Sequence, residues 1–163
     1  METPLAFPAL HASHAGIWMS NSDGQVQTIS KGEAAGRAAE TPMVMLYAPL
    51  VAQRLGYPDL SGLDLLELYA FVYPARFAVP TPKGLAKTLG LPAPVTDQEV
   101  PLFLLRAAHY LLSVLRAADW AEREGAWDSA QALMRLRWPW ANLVLAALKK
   151  PERPERWLFS RLP

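Results

Sequence analysis

The sequence predicts an α/β protein of the α+β kind, with a small mixed sheet of three to five strands and a helical carboxy-terminal half. Two short runs of alternating apolar and polar residues flank an Asn-Ser-Asp-Gly turn at residues 21–24, which is typical of a β-hairpin. A continuous apolar run at residues 43–47 has the length of a strand buried on both faces. From residue 63 onward, apolar residues recur mostly at helical spacing.

The first half of the chain alternates short strands and helices. Residues 1–13 are expected to form an irregular leader, although one or two further strands are expected within residues 1–13 or 74–80. Pro49 favours the first turn of a helix, and Gly56 ends it. The expected order is two hairpin strands, an alanine-rich helix, a buried strand and a second helix, at 14–20, 25–30, 31–40, 43–47 and 49–55.

The second half is expected to be entirely helical. Pro74 and Gly90 mark the ends of its first two helices. Thr96 or Asp97 can cap a long third helix, and Pro139 separates the last two. The expected helices span 63–72, 82–89, 98–124, 127–136 and 140–149.

Composition limits the class of protein. The chain has 163 residues with 52% apolar side chains, enough for one domain with a core or for one domain plus a helical extension. It has no cysteine, so disulfides and thiolate metal sites are excluded and a reducing cytoplasm is the expected location. No apolar run is long enough to span a membrane, and the start resembles no secretion signal.

Positive charge is concentrated at the carboxy-terminal end. Residues 1–134 contain nine Lys or Arg and 13 Asp or Glu, whereas residues 135–163 contain seven and two. The same segment carries large aromatic side chains, and such mixtures can bind single-stranded nucleic acid by stacking and phosphate contacts. Trp138 and Trp140 are alternatively, and more simply, anchors of the last helix. The candidate DNA-binding residues are Arg135, Arg137, Lys149, Lys150 and Arg153, and Trp157 and Phe159 are candidates for docking a partner.

Other chemistry has less support. No Gly-x-x-x-x-Gly-Lys-Ser/Thr loop is present, so this chain alone should not hydrolyse ATP. His11 and His14 have no third ligand nearby in sequence, which favours ordinary surface histidines over a metal site. Asp64 and Glu67 suit the start of a helix. We therefore expect no catalytic residue, no metal and no cofactor in this chain.

Four segments carry a family resemblance: Tyr57-Pro-Asp-Leu-Ser-Gly-Leu-Asp-Leu-Leu-Glu-Leu, Phe77-Ala-Val-Pro-Thr-Pro-Lys-Gly-Leu-Ala, Leu136-Arg-Trp-Pro-Trp-Ala and Pro151-Glu-Arg-Pro-Glu-Arg-Trp-Leu-Phe. They resemble the amino-terminal region of bacterial DinG-like ATP-dependent DNA helicases, over nearly the full length of the chain. The resemblance implies an accessory domain at residues 1–150 and a linker at 151–163 leading to a helicase motor that is absent here. It also implies a role in DNA repair, with ATP hydrolysis confined to the motor.

Two further segments, Leu63-Asp-Leu-Leu-Glu-Leu-Tyr-Ala and Gly84-Leu-Ala-Lys-Thr-Leu-Gly-Leu, are similar to the DnaQ-like 3′–5′ exonuclease family. That resemblance implies a ribonuclease H-like domain. The family's metal-binding acids are missing. The expected first strand at 14–20 holds no acid, Tyr47-Ala48-Pro49-Leu50 stands in place of the family's His-Asn-Ala-x-Phe-Asp helix, and His109 lacks the acid of the family's His-x-x-x-x-Asp pair. Two-metal hydrolysis needs several such carboxylates.

These observations predict a non-catalytic, degenerate exonuclease-like accessory domain of a DNA helicase. Its expected partners are DNA and the helicase motor in the same polypeptide, with no membrane association. The domain would guide DNA or regulate the motor. The alternative is a protein-interaction module that docks through the Trp- and Arg-rich carboxy-terminal segment.

Overall fold

A computed structural model describes residues 7–148 of the chain. The chain divides into two compact units, with the boundary between Tyr110 and Leu111. The described part of the first unit holds a five-stranded mixed sheet and helices, and the described part of the second holds helices. The expected α+β class, with three to five strands and a helical second half, is therefore confirmed. The expected boundary at residue 150 lies outside the described residues.

The sheet has five strands: β1 Ala9–Ser13, β2 Gly16–Ser20, β3 Val26–Thr28, β4 Val44–Met45 and β5 Leu63–Asp64. Their order in the sheet is β3-β2-β1-β4-β5. β1 pairs antiparallel with β2, which pairs antiparallel with β3, while β1–β4 and β4–β5 are parallel. β2 is thus the single strand of this sheet that runs against the other four.

The first strand of the sheet lies earlier in the chain than predicted. The run at 14–20 forms β2, and β1 lies at Ala9–Ser13 within the expected leader. A further strand within residues 1–13 was expected, and β1 is that strand. Residues 74–80 contain no strand. β5 was not expected at all, because Leu63–Asp64 was assigned to the start of the following helix.

Four helices of the first unit are α1 Lys31–Glu40, α2 Ala48–Leu55, α3 Leu65–Val72 and α4 Pro82–Leu89. Local capping explains several of their ends. The Ser30 hydroxyl accepts a hydrogen bond from the Glu33 amide at the start of α1, and the Thr81 hydroxyl accepts one from the Gly84 amide at the start of α4. Gly56 and Gly90 end α2 and α4 in the left-handed conformation.

One face of the sheet packs on α1 and α2. Successive side chains of a strand point to opposite faces, and Leu10 and Ala12 of β1 face this core. The buried cluster on this face consists of Leu10, Ala12, Ile17, Met19, Ala34, Met43, Met45, Val51 and Leu55. It follows that the other residues of β1, including His11 and Ser13, face the opposite side of the sheet.

The long helix expected at 98–124 is shorter. A 3-10 turn at Asp97–Glu99 leads into α5, Val100–Arg116, which crosses the boundary between the units. The chain then turns, and Trp120 is buried. In the second unit α6, Ala126–Arg135, packs against α7, Ala141–Leu148.

In the second unit, Trp140 is completely buried, as expected if this ring anchors the last helix.

None of the helices between residues 7 and 148 combines the length and apolar content needed to cross a lipid bilayer.

Candidate functional site

The carboxyl end of β1 carries two polar side chains on the face opposite the apolar core. His11 and Ser13 are two residues apart on this strand and therefore share that face. His11 lies opposite Trp18 of β2, and their rings stack with centroids 5.8 Å apart and an interplanar angle of 29°. Gly16 leaves room for the Trp18 ring beside the β1–β2 turn, because a Cβ at this position would lie 3.2 Å from that ring.

Asp97 closes this site from the 3-10 turn before α5. Its Oδ1 lies 2.9 Å from His11 Nε2, and its Oδ2 accepts a hydrogen bond from the Ser13 hydroxyl at 3.1 Å. Since an ionised carboxylate only accepts hydrogen bonds, His11 Nε2 donates to it. We call His11, Ser13 and Asp97 the β1 cluster.

The hydrogen bonds of the β1 cluster favour the ionised form of Asp97. The hydrogen bond from His11 is the largest influence and lowers the pKa of the Asp97 carboxyl below its ordinary value of 3.8. Partial burial opposes this shift, whereas the Ser13 hydrogen bond and the electrostatic influence of His11 and His14 add to it. The side chain of His11 is 13% exposed and that of Asp97 is 37% exposed.

The β1 cluster places a serine hydroxyl against a weak base. The Ser13 hydroxyl donates to the Asp97 carboxylate and accepts a hydrogen bond from the Ala15 amide at 3.1 Å. A general base works best when its pKa lies near the working pH, whereas the pKa of Asp97 is lowered. Here Asp97 instead joins both side chains of β1 to the start of α5, and the arrangement positions these two elements.

The structure decides between the two expected caps and corrects one expectation about histidine. Of Thr96 and Asp97, Thr96 is the cap, through a capping box with Glu99. His11 was expected on the surface, whereas it is largely buried; His14 is exposed, as expected. The sequence contains a signal for the choice of cap, because Thr96-x-x-Glu99 is a capping-box pattern that leaves Asp97 available for another contact.

A cavity of about 370 Å³ lies beside the β1–β2 turn. Three basic side chains contribute to its lining: His14 from the turn, Lys31 from the start of α1, and Arg54 from the last turn of α2. Arg54 Nη1 donates a hydrogen bond to the Ala12 carbonyl oxygen of β1, which ties the guanidinium to the sheet. We call this space the turn cavity.

Asp64, at the carboxyl end of β5, organises the backbone. Its carboxylate accepts hydrogen bonds from the Tyr47 amide at 3.0 Å, the Ala48 amide at 2.8 Å and the Leu66 amide at 2.9 Å. The prediction that Asp64 caps a helix is confirmed for α3, with Glu67 in its first turn. Asp64 also holds the segment that joins β4 to α2, where Tyr47 adopts a left-handed conformation.

The two candidate DNA-binding residues within the described part of the chain are exposed and close in sequence. Arg135 ends α6, and Arg137 follows in the left-handed conformation with φ 65°. The other candidates, Lys149, Lys150, Arg153, Trp157 and Phe159, lie outside the described residues. Between residues 7 and 148, no group of three or more His, Cys, Asp or Glu side chains is arranged to hold a metal ion.

Comparisons with known proteins add no family to this description. No family model matches the chain, and neither a curated protein nor a solved structure is significantly similar to it.

Proposed function

We propose that this chain is a non-catalytic accessory domain with a degenerate, ribonuclease H-like exonuclease fold, and that it guides DNA for a helicase motor in the same polypeptide. The sheet supports the fold assignment. Ribonuclease H-like domains share a five-stranded sheet of order 3-2-1-4-5 in which the second strand alone is antiparallel to the rest, and the order and directions here agree with that pattern. The helicase relationship rests on the sequence resemblance.

The observation that carries the proposal is the β1 cluster. The exonuclease resemblance places metal-binding acids on the first strand of the sheet. Here that strand is β1, which has no acid and carries His11 and Ser13 as its polar side chains. Both side chains are hydrogen-bonded to Asp97. A carboxylate held by two such partners joins β1 to the start of α5, so these residues support the fold at a position where the resembled nucleases place acids for chemistry.

The end of α6 supports a role for Arg137 in DNA binding. The Trp138 amide donates to the Leu133 carbonyl at 3.0 Å and the Arg137 amide donates to the Met134 carbonyl at 2.9 Å, which is a Schellman ending. Glycine is the usual residue at the left-handed position of this motif, because a side chain there costs roughly 1 kcal/mol or more. An exposed arginine in that position is not explained by the stability of the helix end.

The test is the affinity of the 163-residue chain for single-stranded DNA, measured by fluorescence anisotropy with a labelled oligothymidylate at several salt concentrations. Each phosphate contact contributes about 0.7 to the slope of log affinity against log salt for a single strand. We expect salt-sensitive binding that weakens in Arg135→Glu and Arg137→Glu. The matched control is Arg116→Glu, since Arg116 is also an exposed arginine in the last turn of a helix. Absence of salt-sensitive binding contradicts the proposed function.

A second candidate function is docking of a protein partner through the same region. Leu136, which lies between the two arginines, is 77% exposed, and Met134, which precedes them, is also exposed. Apolar docking depends weakly on salt, in contrast to phosphate binding. If the chain binds no DNA but Leu136→Ser weakens its association with a separately produced helicase motor, this second function replaces the first.

A further inference from the structure

We propose that the turn cavity binds the phosphate group of a nucleotide. This inference rests on the proposed function and names the part of the DNA that the first unit would recognise. The shared chemistry is a phosphate monoester or diester, which either a DNA strand or a free mononucleotide supplies. The turn cavity lies at the carboxyl end of β1, beside the hairpin turn that joins β1 to β2.

The charge of the turn cavity is the first argument. His14, Lys31 and Arg54 contribute to its lining, together with the hydroxyl-bearing Ser13 and Ser30, and none of the lining residues is acidic. This is not the general composition of the unit, because residues 7–110 contain seven Lys or Arg and eight Asp or Glu. Asp97 lies beside Ser13, but its oxygens accept hydrogen bonds from Ser13 and His11.

The orientation of Arg54 is the second argument. A guanidinium has five N–H donors in a planar fork, and the hydrogen bond to the Ala12 carbonyl uses one of them. Arg54 is half-buried in the last turn of α2, so fewer rotamers remain to be lost when an anion binds. A fixed guanidinium fork is the arrangement that recognises phosphate oxygens in pairs.

The location of Lys31 is the third argument. Lys31 is the first residue of α1, where the helix dipole favours an acid and disfavours a cation by a few tenths of a kcal/mol. Ser30 already caps this helix, so the lysine is not needed to begin it. Its positive charge at the rim of the turn cavity is explained by an anionic ligand, whereas the stability of α1 does not explain it.

The size and walls of the turn cavity fit a nucleotide. Its volume of about 370 Å³ lies within the range of roughly 300–1,000 Å³ typical of small-molecule sites. Ile17 and Ile29 add apolar surface beside the basic side chains. A phosphate held by Lys31 and Arg54 beside His14 would therefore leave the attached sugar against an apolar wall.

The test uses the 163-residue chain and three probes: inorganic phosphate, thymidine 5′-monophosphate and a 5′-phosphorylated oligothymidylate. Affinities come from isothermal titration calorimetry, and amide NMR shifts locate each probe. The key variant is Lys31→Glu, with Lys83→Glu as its matched control, since Lys83 is an exposed lysine in the first turn of α4. Both changes favour the helix dipole, so neither should lower the melting temperature.

We expect the mononucleotide to shift amides of residues 13–17 and 29–31, and Lys31→Glu to weaken its binding about tenfold while Lys83→Glu leaves it unchanged. Equal affinity in the Lys31→Glu variant, or shifts confined to other residues, overturns the inference. The two proposals fail separately. DNA binding that depends only on Arg135 and Arg137 refutes the turn cavity and preserves the proposed function. Mononucleotide binding that depends on Lys31, without salt-sensitive DNA binding, preserves the phosphate site in the turn cavity and refutes the proposed function.

Discussion

Replacing Asp97 with alanine removes both hydrogen bonds that join β1 to the start of α5. A hydrogen bond to a charged group contributes about 1.5–3 kcal/mol when well protected. The Asp97 side chain is 37% exposed, so solvent screens both bonds, and Ser13 can turn to water after the change. His11 is mostly buried and loses its acceptor, which costs about 1–3 kcal/mol. We therefore expect Asp97→Ala to lower the free energy of unfolding by about 1–2 kcal/mol.

Urea and thermal unfolding followed by circular dichroism measure this effect. For a chain of this size, a change of 1 kcal/mol shifts the melting temperature by about 2–4 °C, so the expected decrease is about 2–8 °C. The control is Asp59→Ala, because Asp59 is an exposed acid of the same unit; it should remain within about 0.5 kcal/mol of the unmodified chain. If the two variants are equally stable, the β1 cluster does not join these elements as described.

The pH dependence of the same difference gives a second check. The pKa of Asp97 is lower in the folded chain than its ordinary value of 3.8. A carboxyl with a depressed folded pKa contributes its full stabilisation above the unfolded value and loses it as the pH falls through the folded value. Below about pH 5, the stability difference between the unmodified chain and Asp97→Ala should therefore shrink as the pH falls through 3.8 and then through the folded value. A difference that grows over that range contradicts the assigned charge.

Two other predictions concern the backbone. A Cβ at Gly62 would lie 2.8 Å from the Met43 carbonyl oxygen, so Gly62→Ala should lower the free energy of unfolding by about 1–3 kcal/mol. The control is Gly36→Ala, because a Cβ at Gly36 in the middle of α1 meets no atom within 4 Å, and this change should raise the free energy of unfolding by about 0.5–1 kcal/mol. Equal urea midpoints for the two variants would refute the close approach at Gly62. Arg137→Gly should raise the free energy of unfolding by up to about 1 kcal/mol and weaken DNA binding in the anisotropy assay. A lower free energy of unfolding would show that the left-handed conformation of Arg137 is not strained.

Helix ends could be predicted because the signals that set them are local. α1 begins at residue 31 and Gly56 ends α2, both as expected, and in each case the stabilising hydrogen bond joins residues only three or four apart. The turn at 21–24 likewise joins β2 to β3. Such contacts form wherever these residues occur in the chain, so a short window of sequence contains most of the information.

Two of the strands could not be placed in the same way. β1 lies within the expected irregular leader, and β5 has two residues, which is too short for periodicity to appear. Leu63 and Asp64 are also a good start for a helix, and only pairing with Val44 and Met45 makes them a strand. The end of α5 is a related case, because residues 117–119 suit a helix and the chain nevertheless turns and buries Trp120.

By itself the sequence determined the class of the protein, the helix caps, the absence of acids from the strands that precede α1, and the concentration of positive charge near the carboxy-terminal end. Only the tertiary structure decided which side chains meet. Asp97 contacts His11 across 86 positions, and Lys31 joins Arg54 and His14 around one cavity. Such meetings depend on strand order and helix placement, which arise from the burial of the whole apolar core rather than from any local preference of the residues concerned.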